Sequence, residues 1–69
     1  SEVAVVVTPN GVVYDSDNFY VYGQVHLALS GYWRAYSSEL RELPEIFTSR
    51  SAVIEHLVEH QRQSELTTA

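Results

Sequence analysis

Residues 3–14, VAVVVTPNGVVY, constrain the fold more than any other stretch. Val3 to Val7 are β-branched except for Ala4, and stiff χ1 angles favour an extended, pleated backbone. Pro9-Asn10-Gly11 interrupts that run, and Val12-Val13-Tyr14 resumes it. Asn-Gly between apolar runs is a strong hairpin signal, because both residues tolerate positive φ. Asp15-Ser16-Asp17-Asn18 marks a second turn, where short polar side chains bond back to the backbone. Phe19 to Tyr22, FYVY, then opens a third strand. The N-terminal part reads as a three-stranded antiparallel meander.

From Gln24 to Leu43 two periods compete. Val25, Leu27 and Leu29 alternate as in a strand. Val25, Ala28, Leu29, Tyr32, Trp33, Tyr36, Leu40 and Leu43 instead follow helical spacing, and Pro44 supplies a stop. The helical template accounts for more residues and predicts a first helix from near Gln24. The alternative is a hairpin at Ser30-Gly31, since Gly31 costs a helix about 1 kcal/mol relative to alanine. A last helix follows Thr48 or Ser49 as its cap, with Val53, Ile54, Leu57 and Val58 forming its apolar stripe. Residues 64–69, SELTTA, read as a frayed tail. The expected fold class is α+β: one small domain over 1–69, its meander packed against two C-terminal helices.

A chain of 69 residues has room for one domain and buries only roughly 60% of its unfolded surface. It has no cysteine, which excludes disulfides and thiolate metal sites, so self-association or a tight partner is the expected source of extra stability. At 45% hydrophobic residues the composition is that of a folded protein. No apolar run approaches the ~18 residues of a membrane span, and no secretion signal is visible. Cytoplasm is the expected location. The formal charge is −5, with nine acids against four arginines. Such a surface repels phosphate backbones and favours basic partners.

Two short stretches carry resemblances. His56 to His60, HLVEH, resembles the H-x-x-E-H pattern of inverzincin peptidases. That likeness implies His56 and His60 as zinc ligands and Glu59 as general base of a zinc-dependent hydrolase. The family takes its third ligand, a glutamate, from far downstream, whereas Glu65 lies close by in sequence. Read as an ordinary helix, the same letters place both histidines towards water. Ser49 to Glu59, SRSAVIEHLVE, resembles the second helix of ribbon-helix-helix regulators, which implies DNA binding. That family reads DNA with a basic strand, whereas the strands here carry Glu2, Asp15 and Asp17.

Seven aromatic residues lie between Tyr14 and Tyr36. Phe19, Trp33 and Tyr36 are the expected core members. Tyr20 and Tyr22 share one strand face, with Phe19 and Val21 on the other. Tyrosine suits interfaces, since it buries much area and keeps a polar tip. His26 has no evident partner, and neither a phosphate loop nor a nucleophile elbow occurs. These observations lead to a non-enzymatic, acidic protein-interaction module, an inhibitor or adaptor docking on a basic surface, in its specific form a nucleic-acid-binding one. Its expected contacts are Tyr14, Asp15, Asp17, Tyr20, Tyr22, Tyr32, Glu39 and Glu42. No cofactor, membrane or direct nucleic-acid partner is implied.

Overall fold

The computed structural model describes residues 4–68, with side chains as far as Gln63; Val3, Glu2, the Glu65 side chain and Ala69 lie outside the described set. Five strands, β1 (Val5–Val7), β2 (Val12–Asp15), β3 (Val21–Leu27), β4 (Trp33–Ser37) and β5 (Glu42–Phe47), precede one helix, α1 (Arg50–Thr68). The strands form one antiparallel sheet in chain order, each paired with the next. The α+β class holds, with five strands and one helix in place of three and two. α1 takes in residues 64–68 of the stretch expected to fray.

The correction falls between Gln24 and Leu43. This segment is not a helix but the end of β3, all of β4 and the start of β5, with the Ser30-Gly31 hairpin between the first two. Apolar residues at helical spacing misled because Leu29, Tyr32 and Leu40 are exposed turn residues rather than members of a buried stripe. Pro44 does not stop a helix. It sits in β5, an edge strand, where its missing N–H leaves no gap in an interior ladder.

Three connections share one turn geometry. In Thr8–Val12, Ala28–Tyr32 and Ser37–Arg41, the first residue's N–H donates to the last carbonyl, and its own carbonyl accepts from the fourth residue. The fourth residue has positive φ each time: 90° at Gly11, 91° at Gly31 and 65° at Leu40. This is the three-residue hairpin loop with a left-handed fourth residue. In the first loop only Gly11 is left-handed, and Asn10 is not, so Pro9-Asn10 form the body of the turn rather than a two-residue Asn-Gly loop.

α1 covers one sheet face. Ser49 caps it, its Oγ accepting from the Ala52 N–H at 3.2 Å. Val53 and Leu57 are fully buried, with Ile54 and Val58 beside them, so the expected stripe is the one that packs. They meet Val13, Val25, Ala35 and Leu43. A bulge in β3 completes the core: Val13 pairs with Gly23 and Tyr14 with Val21, leaving Tyr22 as the extra residue. Such a residue re-aims its neighbours, and Tyr22 joins the buried cluster. Gly23 has φ 149°, and a Cβ there would run into the Tyr36 carbonyl and approach both Leu57 methyls within 3.2 Å.

The opposite face follows by alternation from the register. Val6, Tyr14 and Val21 form one row, and Val12, Gln24, Tyr36 and Glu42 the next; His26, Arg34 and Ile46 form the third. No described element covers it.

Candidate functional site: an acidic loop end

In a meander, alternate connections lie at the same end of the sheet. The β2–β3 and β4–β5 loops therefore share one end, two strands or about 10 Å apart. Asp15, Asp17, Glu39 and Glu42 gather there, as do Tyr14, Tyr20 and Tyr22. Tyr32 does not: it lies in the β3–β4 turn at the opposite end.

The β2–β3 loop is held by its own side chains. Asp15 Oδ1 accepts from the Asp17 N–H at 2.8 Å, and Asn18 Oδ1 from the Tyr20 N–H at 2.9 Å. The Phe19 N–H donates to the Asp15 carbonyl at 2.8 Å. Phe19 itself has φ 61° and is 74% exposed, its ring stacked on Tyr14 at 6.2 Å between centroids. Expected in the core, it lies outside because the turn directs it away from α1. Leu40, expected in a helical stripe, has φ 65° and is 63% exposed at the neighbouring tip. Left-handed φ is uncommon outside glycine, and for a bulky residue it is a genuine outlier. Two such residues, both large, apolar and exposed, stand at one end of the molecule.

Of the expected contact residues, Tyr22 is removed from the surface. It is 6% exposed, because the bulge turns it under α1. Its hydroxyl donates to Asp15 Oδ2 at 3.3 Å. Burial first, then the Asp15 carboxylate, raises its pKa above the ordinary 10.0. Tyr20 is half-buried beside it, ring centroids 5.2 Å apart and edge-on, so the expected shared face is present. The Tyr20 hydroxyl accepts from Gln61 Nε2 at 2.9 Å, tying the loop end to α1. Glu42 receives the Tyr36 hydroxyl at 3.0 Å and lies 3.3 Å from Arg34. The bond to Glu42 raises the Tyr36 phenol above its ordinary value, with burial second. Asp17 and Glu39 point to solvent.

The histidine pair has a different setting from the one expected. His56 is half-buried, its ring 4.9 Å from Phe47, and its Nε2 lies 3.5 Å from Glu45 Oε1 without hydrogen-bond geometry. β5, unforeseen in the sequence, supplies both neighbours. His60 stands 6.2 Å from His56 between ring centroids. Among the described residues no group of three histidines or acids is placed to hold a metal ion, so the pair lacks a third ligand there. SRSAVIEHLVE opens α1, and the described chain has one helix where a ribbon-helix-helix unit needs two.

Phe19 and Leu40 were missed because their exposure depends on turn geometry. The available signal was Leu40 within the polar run SSELRE, which is turn-like in composition. No protein-family model, curated protein or solved structure matches the chain. No described helix is long and apolar enough to cross a membrane.

Proposed function

We propose that this chain is a small acidic interaction module whose β2–β3 and β4–β5 loop end docks on a basic, partly apolar surface of a larger protein, as an inhibitor or adaptor. The observation that carries the reading is the pair Phe19 and Leu40. Each holds a large exposed side chain in a backbone conformation that costs roughly 1–2 kcal/mol. A turn that only had to close would use glycine, as the Gly11 and Gly31 turns do. Strained outliers of this kind concentrate at binding sites. Asp15, Asp17 and Glu39 around the two anchors favour a cationic partner and steer its approach. Direct nucleic-acid binding is disfavoured, since that end has more acids than arginines.

The test uses Phe19→Gly and Leu40→Gly. Both relieve φ strain, and a urea melt of each variant separates lost binding from a damaged fold. Affinity capture should retain a basic protein that elutes with salt. Each variant should weaken the purified complex about tenfold or more, as truncated anchors do. Leu29→Gly, fully exposed at the opposite end, should leave it intact. Equal binding by wild type and both loop variants would refute this interface.

A further inference from the structure

The sheet face opposite α1 is a second surface, and it differs in charge from the loop end. Val6, Tyr14, Val21, Tyr36 and Ile46 lie on it, with Val21 43% and Ile46 52% exposed. Among the described residues its only acid and its only arginine, Glu42 and Arg34, stand 3.3 Å apart and neutralise one another. The other described acids lie elsewhere: Asp15 bonds to Tyr22 on the α1 side, and Asp17 and Glu39 are in loops. Glu45 faces His56, and Glu55 and Glu59 are on α1.

We propose that a second copy of this chain covers this face, two sheets stacking across a two-fold axis. Charge selects the occupant. Two chains of formal charge −5 repel one another wherever acid meets acid, and the described charges of this face balance. A nucleic acid stacking on Tyr14 and Tyr36 would need unpaired cations beside them, and Arg34 is already engaged by Glu42 and the Leu43 carbonyl. A two-fold contact is self-complementary, so adjacent Arg34 and Glu42 can exchange partners between copies without an unmatched charge. Size sets the strength. Five strands about 4.8 Å apart and about five residues long project roughly 400 Å², about 800 Å² for both copies. That lies below the standard size of a specific interface, so the dimer is expected to be weak and transient.

Sedimentation equilibrium of the whole chain from about 5 µM to about 1 mM tests this, spanning the range of weak dimers. A monomer–dimer equilibrium is expected, and it should tighten in high salt, which screens two like-charged copies. Val21→Glu and Ile46→Glu should each weaken it about tenfold or more, and Leu29→Glu should not. A monomer throughout, or a dimer indifferent to both face substitutions, overturns the proposal. Should those variants not fold, isotope-filtered NOEs between labelled and unlabelled wild-type copies decide. Methyl contacts from Val21 and Ile46 to the other copy support the dimer, and their absence at the highest concentration overturns it. The proposal does not rest on the loop end. Partner binding there should weaken with salt, the opposite sign, so the failure of either reading is recognisable.

Discussion

Leu40 occupies the turn position at which Gly11 and Gly31 sit in the two equivalent hairpins. Replacing it with glycine relieves about 1–2 kcal/mol of left-handed strain and adds about 0.5–1 kcal/mol of unfolded-state entropy. Leu40→Gly should therefore stabilise the isolated chain by about 0.5–1 kcal/mol, read from the urea midpoint, while impairing docking. A destabilised variant would mean that the Leu40 side chain packs within the fold instead. Phe19→Gly is less clean, since it also loses the stack on Tyr14. Tyr22 makes a separate prediction. Its folded pKa is raised, so folding favours the neutral phenol. That contribution is complete below the unfolded value and is lost as pH rises through the folded one. Between about pH 9 and about pH 11 Tyr22→Phe should lose less stability than wild type. Urea melts at the two ends of that window check it. Tyr36, raised in the same sense, remains as common background in both proteins.

α1 is an element held by the sheet more than by its own polar side chains. Leu57 is fully buried with its methyls against Gly23, where the missing Cβ makes room for them. Leu57→Ala should cost about 3 kcal/mol through lost burial and a residual cavity, measured by chemical denaturation. It should also free the Tyr20–Gln61 bond, visible as raised amide exchange in the β2–β3 loop. The stripe that docks α1 was legible, because Val53, Ile54, Leu57 and Val58 recur at the helical period whatever lies beneath. The first hairpin was legible too, from Asn10-Gly11 between valine runs. β4 and β5 were not. Their apolar residues alternate with exposed Leu29, Tyr32 and Leu40, so the turn tips imitated a helical stripe and outweighed Gly31. The same error hid the neighbours of His56, since Phe47 and Glu45 belong to a strand that was not expected.

At the scale of the molecule, two surfaces of different charge, one acidic and one balanced, follow from one topology. The meander's parity brings Asp15, Asp17 and Glu39 to one end, and the sheet's pleat leaves open one face whose described charges, Arg34 and Glu42, are paired. Salt should therefore act in opposite directions on the two interfaces, weakening capture of a basic partner and strengthening self-association. The sequence alone determined the α+β class, the acidic charge, the β2–β3 turn and the buried face of the last helix. Each of these is set by local propensity, composition or period, which act over a few residues. The strand count, the burial of Tyr22, the setting of His56 and the exposure of Phe19 and Leu40 were decided by tertiary structure. A side chain's direction in a sheet depends on register, and one bulge or one left-handed turn residue redirects it. Register is fixed only when the strands pair and α1 selects which face to cover.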